Sequence, residues 1–256
     1  MLARPAALAA ALALAMLLPG CTLPGAVQGD RTGPGQRAAD YLRSSPYSRI
    51  LIELDIASGT GPESAALSML QSRLQEATGK GVDVDRSGSF AGQGSGHKYT
   101  LAEVNDLETR QRSQFSGGTT AILYMLWLDG GFEKDTENQK TLGAAYRGSS
   151  VVMFQANLQV ASNGGSVLHT KPDITAVEES VLVHESGHIL GLVGCGTAMV
   201  RNHQDTNPDH GTCHSTDQAS VMYWAVETDL IGSLLGQNPP NAYDSDDKAD
   251  LRAARG

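Results

Sequence analysis

Apolar residues along this chain follow two spacings, one typical of strands and one of helices. Arg49 to Ile56 places isoleucine or leucine at every second position, which predicts a strand. From Pro62 to Thr78 leucines recur every three or four residues, which predicts a helix that Gly79 ends. Thr119 to Leu128 is nearly continuously apolar, as expected for a central strand covered on both faces.

Shorter segments complete the pattern. Val82 to Asp85 predicts a short strand followed by a loop rich in glycine and serine. Thr100 and Glu103 have the spacing of a capping box ahead of a short helix. The segments 142–148 and 150–155 predict two strands joined by a glycine-serine turn.

Two further helices are predicted towards the C-terminus. One runs from Thr175 to Gly191, with Thr175 and Glu178 as its capping pair. The other is a short final helix with Ser245 as its N-cap. The order of elements predicts an α+β domain over residues 49–256, with a twisted mixed sheet of about five strands and two main helices.

The N-terminus predicts export. Residues 1–20 contain one positive charge followed by an apolar run, which is the layout of a signal peptide. Leu18 to Cys21 resembles a bacterial lipobox, so Cys21 is expected to carry lipid. An ordinary signal peptide cut elsewhere is the alternative. Residues 21–48 then predict a lipidated, flexible tether, and the protein is expected in the bacterial cell envelope, at the outer membrane or the cell surface.

The charge and histidine content of the chain limit the kinds of partner it can bind. The formal net charge is -9, from 19 basic and 28 acidic residues, which argues against a nucleic-acid partner because phosphate binding needs a basic surface. Five of the seven histidines lie within 31 residues of one another: His184, His188, His203, His210 and His214. A solvated surface does not require that clustering, whereas a metal site can.

The chemistry is concentrated in Val183 to Leu192, which reads VHESGHILGL and contains the motif HExxH. Histidines four residues apart on a helix project from one face, so His184 and His188 are expected to bind one zinc ion. Glu185 lies between them, where it can act as a general base on water. Gly191 allows a sharp chain reversal that returns later residues towards the metal.

These residues resemble the metzincin family of zinc peptidases, whose signature is HExxHxxGxxH followed by a turn that contains methionine. The third histidine of that signature would fall at position 194, which is Gly194 here. The segment from His214 to Trp224 resembles the matrixin stretch in which the third ligand precedes the Met-turn methionine, here Met222, by eight residues. The resemblance therefore implies His214 as third ligand after an inserted loop, with His203 and His210 as alternates.

Cys195 and Cys213 remain as a pair once Cys21 is assigned to lipid. In an oxidising compartment they are candidates for a disulfide, which would close the inserted loop beside His214. The alternative is two buried free thiols.

The resemblance implies a metzincin-like fold with an irregular C-terminal subdomain that contains the Met-turn. It also implies a zinc-dependent endopeptidase in which Glu185 takes a proton from a zinc-activated water. The expected substrate is a protein or peptide in extended conformation paired with an edge strand, and the expected protein is a membrane-anchored monomer. Two alternatives stay open: an inactive zinc-binding surface lipoprotein that acts as a binding module, and a peptidase that uses Glu227 as its third ligand.

Overall fold

A five-stranded mixed sheet forms the centre of the protein. Its strands along the chain are β1 (Arg49–Ala57), β2 (Gly81–Phe90), β4 (Thr120–Leu128), β6 (Gly143–Arg147) and β7 (Ser150–Phe154). They lie side by side in the order β2-β1-β4-β7-β6. The computed structural model describes residues 32–137, 139–162 and 171–256. All neighbours in the sheet are parallel except β6, which lies at one edge antiparallel to β7. The expected mixed sheet of about five strands is therefore present.

Each face of the sheet has its own apolar core, because side chains alternate across a strand. In β4, Leu123 and Met125 belong to one core, and Tyr124 and Leu126 belong to the other. Every residue of β4 after Thr120 is buried. The continuous apolar run in the sequence follows from this two-sided burial.

Helices cover both faces. On one side of the sheet, α2 (Ser64–Thr78) and α5 (Ile174–Ile189) pack against each other, and α7 (Ser245–Arg255) packs against α2. On the other side, Val104 of α3 (Leu101–Gln111) lies in the second core. The other α-helices of the described residues are α1 (Ala38–Leu42), α4 (Gln155–Ala161) and α6 (Ile231–Leu235). None of these helices combines the length and the apolar character that a membrane span requires.

The folded region begins before Arg49, so the predicted tether was too long. Ala38, Tyr41 and Leu42 of α1 are buried in the main core, and the Tyr41 hydroxyl donates a hydrogen bond to the Ile122 carbonyl oxygen at 2.8 Å. Further upstream, the backbone N–H of Gly148, between β6 and β7, donates to the Thr32 carbonyl oxygen at 2.7 Å. The predicted signal peptide and Cys21 lie outside the described residues.

Several element boundaries also differ from the sequence prediction. Strand β2 continues to Phe90, through part of the predicted glycine- and serine-rich loop, because it pairs with β1 along that length. Helix α4 begins at Gln155, where a strand was predicted to end. A second sheet of two short strands, β3 (Lys98–Tyr99) and β5 (Gly131–Phe132), was not predicted.

Two helix caps were assigned to the wrong residues. Asp173, not Thr175, is the N-cap of α5, and its side chain accepts a hydrogen bond from Ala176 N–H. Asp244, not Ser245, caps α7 in a capping box with Asp247. In both cases a carboxylate one or two residues upstream satisfies the free N–H groups of the first turn.

Glu178 therefore has a different role from the predicted cap of its own helix. It is buried, and its Oε2 accepts a hydrogen bond at 2.7 Å from the backbone N–H of Glu63, the residue before α2. Burial raises the pKa of Glu178 from 4.5 to about 7. The side chain that was expected to start the α5 helix instead joins α5 to the start of α2.

This burial predicts a pH-dependent effect on stability. The folded protein holds a proton on Glu178 more tightly than the unfolded chain does, so ionisation between pH 4.5 and about 7 lowers the free energy of unfolding. Glu178→Gln keeps an acceptor for the Glu63 N–H and cannot ionise. At pH 8 the metal-free variant should be more stable than the metal-free wild type by up to about 3 kcal/mol. Urea denaturation at pH 4.5 and pH 8 measures the difference, and a variant less stable than wild type at pH 8 would contradict it.

Candidate metal centre

Helix α5 brings His184 and His188 together. The two residues are separated by one helical turn, and their Nε2 atoms lie 3.0 Å apart. Both side chains are buried. The helix ends directly after them, at Ile189. The backbone thus supplies two imidazoles aimed at one point at the C-terminal end of α5.

Gly191 permits the chain reversal that follows. Its φ is +71°, a left-handed conformation that favours glycine. A side chain at this position would also meet the backbone nitrogen of Thr197 at 2.8 Å. The chain can therefore fold back here, and a larger residue would force the loop away from α5.

A disulfide joins Cys195 to Cys213, which are 18 positions apart in this loop, with their Cα atoms 5.6 Å apart. The loop also folds back on itself, since Asp205 N–H donates to the His214 carbonyl oxygen at 2.7 Å and Thr216 N–H donates to the His203 carbonyl oxygen at 3.0 Å. His214 follows the bridged Cys213 directly. The bridge and the hydrogen bonds together fix the backbone of His214.

Three histidines converge as a result. The imidazole ring of His214 lies 5.3 Å from that of His184 and 5.2 Å from that of His188, measured between ring centroids. The Nδ1 atoms of His184 and His214 lie 2.6 Å from the backbone carbonyl oxygens of Val221 and His210, respectively. These contacts place the proton on Nδ1, so that each Nε2 presents a lone pair to the common centre.

Met222 packs against α5 between the two motif histidines. Its side chain is fully buried and packs so closely on Gly187 of α5 that an added methyl group there would overlap the Met222 sulfur. Gly187 lies between the two histidines of the helix. This contact fixes the distance between α5 and the segment that carries Met222. Any larger residue at position 187 would push the helix and that segment apart.

Glu185 connects the centre to the sheet. Its side chain is buried, and its Oε2 accepts a hydrogen bond at 2.7 Å from the backbone N–H of Ala145 in the edge strand β6. Its Oε1 has no hydrogen-bond partner among the described residues. A cleft of about 310 Å³ opens beside it, lined by Pro34, Ala144, Ala145, Glu185, His188, Cys195, Gly211, Thr212, Cys213, His214 and Glu227.

Glu227 is the residue that sequence reasoning placed wrongly. It was considered only as a replacement for a third histidine, but the structure brings it to the same centre in addition to His214. Its Oε2 lies 3.7 Å from His184 Nε2, and its Oε1 lies 3.5 Å from His214 Nε2. No spacing rule in the sequence indicated this position, because Glu227 reaches the centre through the 3₁₀ helix Trp224–Glu227.

The four side chains form one group. Ligand atoms of His184, His188, His214 and Glu227 all lie within 4.8 Å of one another. The Nε2 of His214 is buried and has no hydrogen-bond partner among the described residues. Such an orphaned nitrogen costs free energy unless something binds it. Three imidazoles and a carboxylate are a donor set that suits a divalent transition metal.

Electrostatics favour the ionisation states that binding requires. Burial lowers the pKa of His188, and the neighbouring His184 and His214 lower it further. Burial likewise lowers the pKa of His214. Burial alone would raise the pKa of Glu227, but the surrounding histidines outweigh it and lower that pKa. Neutral imidazoles and an ionised carboxylate are the forms that ligate a metal.

Glu185 and His184 are shifted in the opposite sense. Burial raises the pKa of Glu185, and the nearby Glu227 carboxylate adds to the increase. Burial alone would lower the pKa of His184, but Glu227 and Glu185 outweigh it and raise that pKa. Both shifts favour a proton on Glu185 or His184 in the metal-free centre, and a cation bound there would oppose that proton.

The two alternate histidines lie elsewhere. His203 Nε2 is 3.0 Å from Asp250 Oδ2, so His203 joins the loop to α7. The His210 ring stacks on Trp224 with centroids 4.3 Å apart, and its Nδ1 is 2.6 Å from Asp205 Oδ2. Neither side chain joins the group of four. His210 contributes to the centre only through the carbonyl oxygen that orients His214.

The disulfide predicts a measurable contribution to stability. Replacing Cys195 and Cys213 together by alanine removes a cross-link between positions 18 apart in the unfolded chain, which should lower the free energy of unfolding by about 3 kcal/mol. Urea denaturation without reductant measures the loss. Reductant should lower the stability of the wild type and leave the double variant unchanged; an equal response of the two proteins would contradict the prediction.

Comparison with known proteins adds little to this geometry. The sequence matches no protein-family model, and no curated protein matches it. Among solved structures, an archaemetzincin from Methanopyrus kandleri is 13% identical with a TM-score of 0.46, over 80% of this chain and 94% of that chain. A zinc-dependent peptidase from Methanocorpusculum labreanum is 14% identical with a TM-score of 0.46, over 79% of this chain and 99% of that chain.

Proposed function

We propose that this protein is a zinc-dependent endopeptidase of the metzincin type. The observation that carries the proposal is the convergence of His184, His188 and His214 at one buried point beside Glu185. Three histidine ligands with an adjacent carboxylate are the arrangement used by catalytic zinc sites. Met222, packed under the helix between the two motif histidines, supports a metzincin-like Met-turn at this position.

The residues divide the chemistry between them. Zinc bound by the histidines would lower the pKa of a water molecule and polarise the carbonyl group of the substrate. The Ala145 N–H holds Oε2 of Glu185, which leaves Oε1 to take a proton from the attacking water. Glu185 then returns that proton to the leaving amine, so that the peptide bond breaks and its two ends gain the elements of water.

The substrate is proposed to lie along β6. This strand is at the edge of the sheet, and Ala144 and Ala145 line the cleft beside Glu185. An extended peptide can add to such an edge through backbone hydrogen bonds, which need little sequence specificity. Because the Ala145 N–H already contacts Glu185, a peptide on this edge would have its scissile bond close to the general base.

Cleavage of a protein substrate tests the proposal directly. The purified full chain should cleave casein, lose that activity when a chelator removes zinc, and regain it when one equivalent of zinc is restored. The reason is that the histidines alone cannot activate water without a cation. Undiminished cleavage by protein shown to contain no metal would overturn the proposal.

The location of the protein is part of the same proposal. We infer an exported lipoprotein of the bacterial cell envelope, with lipid on Cys21, from the layout of residues 1–21. Mass spectrometry of the mature N-terminus tests it: a diacylglyceryl cysteine at position 21 is expected, and an unmodified N-terminus elsewhere would refute it.

A further inference from the structure

Glu227 faces the metal side of the histidines. The Nδ1 atoms of His184 and His214 are already held by backbone carbonyl oxygens, so they have no need of a carboxylate partner. Both oxygens of Glu227 approach the Nε2 atoms instead. A carboxylate that merely orients a ligating histidine binds the ring nitrogen remote from the metal. Glu227 is on the wrong side for that role.

The distances fit coordination. Ligands bound to zinc at about 2.0–2.1 Å in tetrahedral geometry lie about 3.3 Å from one another. The Nε2 atoms of His184 and His188 are 3.0 Å apart. Glu227 lies 3.5 Å from His214 Nε2 and 3.7 Å from His184 Nε2. The carboxylate therefore lies close to the place of a fourth ligand, within the 4.8 Å that spans the ligand atoms of the group.

The backbone holds Glu227 in that place. The Leu142 N–H donates to the Glu227 carbonyl oxygen at 2.8 Å, and Thr141 forms a β-bridge with Thr228. The segment that carries Glu227 is thus paired with the chain that enters β6. Its side chain keeps 29% of its surface exposed and lines the cleft, so it lies between the histidines and the substrate space.

We propose that Glu227 is a fourth protein ligand of the metal in the resting state, and that it competes with incoming ligands for the position a peptidase needs open. Catalytic zinc sites keep that position for water or substrate. The inference rests on the proposed function. It adds a built-in restraint, because Glu227 has to give way before the metal can accept an outside oxygen.

The first test uses the full chain loaded with cobalt in place of zinc, titrated with acetohydroxamate and followed by its visible absorption. Glu227→Gln should bind acetohydroxamate at least about tenfold more tightly than wild type and zinc at least about tenfold more weakly, since even partners outside the ligand shell alter metal affinity by that factor. Glu179→Gln is the matched control on α5, where Glu179 accepts a hydrogen bond from Asn241, and should alter neither affinity. Zinc or acetohydroxamate affinities equal to wild type in Glu227→Gln would overturn the inference.

A second measurement does not depend on the folding of a variant. A crystal structure of the zinc-loaded wild-type chain should place a Glu227 oxygen about 2.0–2.2 Å from the metal, and a separation of more than about 3 Å would overturn the inference. The two proposals fail differently. A chain that binds zinc and cleaves casein without Glu227 ligation refutes only the fourth ligand; a chain with Glu227 bound to zinc that cleaves no peptide refutes only the peptidase.

Discussion

Replacing Glu185 with glutamine should lower kcat/KM for peptide hydrolysis by about 10²–10⁴-fold, the range that general acid–base catalysis supplies. Glutamine has nearly the same shape and can still accept the Ala145 N–H, but it cannot take a proton from water. Zinc content should stay at one equivalent, because Glu185 lies outside the group of four that could ligate the metal. Steady-state kinetics on a fluorogenic peptide, with zinc measured on the same samples, gives both values.

The same helix offers a control. Glu179→Gln makes the same chemical change on α5, where the side chain accepts a hydrogen bond from Asn241 at 2.8 Å, and should leave kcat/KM unchanged. Full activity in Glu185→Gln, with zinc retained, would remove Glu185 from the mechanism.

His214→Ala should weaken zinc binding by more than about 100-fold, since loss of a direct ligand costs at least as much as loss of its supporting partners. The reason is geometric: His214 supplies one of the three imidazoles of the group, and its position directly after the bridged Cys213 fixes its backbone. Competition with a chromogenic chelator measures the affinity, and peptide cleavage should fall in parallel.

His203→Ala and His210→Ala are controls that test whether the loss of zinc affinity is specific to His214. His203 binds Asp250 and His210 stacks on Trp224, so both variants should hold zinc more than about tenfold more tightly than His214→Ala does. His210→Ala keeps the backbone carbonyl that orients His214. Unchanged zinc affinity in His214→Ala would remove it from the ligand set.

Local patterns in the sequence predicted the parts of the fold that depend on neighbours along the chain. The strand β1, the buried run in β4 and the capping box of α3 are each set within about ten residues, and each is present in the structure. Burial in β1 does not alternate, because Glu53 and Asp55 are buried as well. The HExxH spacing likewise places His184 and His188 on one side of a helix. These predictions succeed because helix and strand periodicity act over short distances.

What the sequence missed depends on contacts between distant segments. Glu227 reaches the centre because its backbone pairs with the chain before β6, 85 residues earlier, as in the bond from Leu142 N–H. Glu178 looked like a cap for its own helix but holds the residue before α2, 115 residues away. Helix α1 lacks a long periodic pattern and is stabilised by burial of Tyr41. No local spacing encodes such contacts.

The first described residues of the chain lie beside the cleft, and this position limits how far the cleft can be from the N-terminal segment. Pro34 lines the cleft and Thr32 is hydrogen-bonded beside the end of β6, so the N-terminal segment leaves the domain at the mouth of the cleft. Lipid on Cys21 would leave residues 21–31, a reach of no more than about 40 Å, between that mouth and the bilayer. On the proposed lipid attachment, the cleft would be held close to the membrane surface, and peptide segments near the bilayer would be the substrates within its reach.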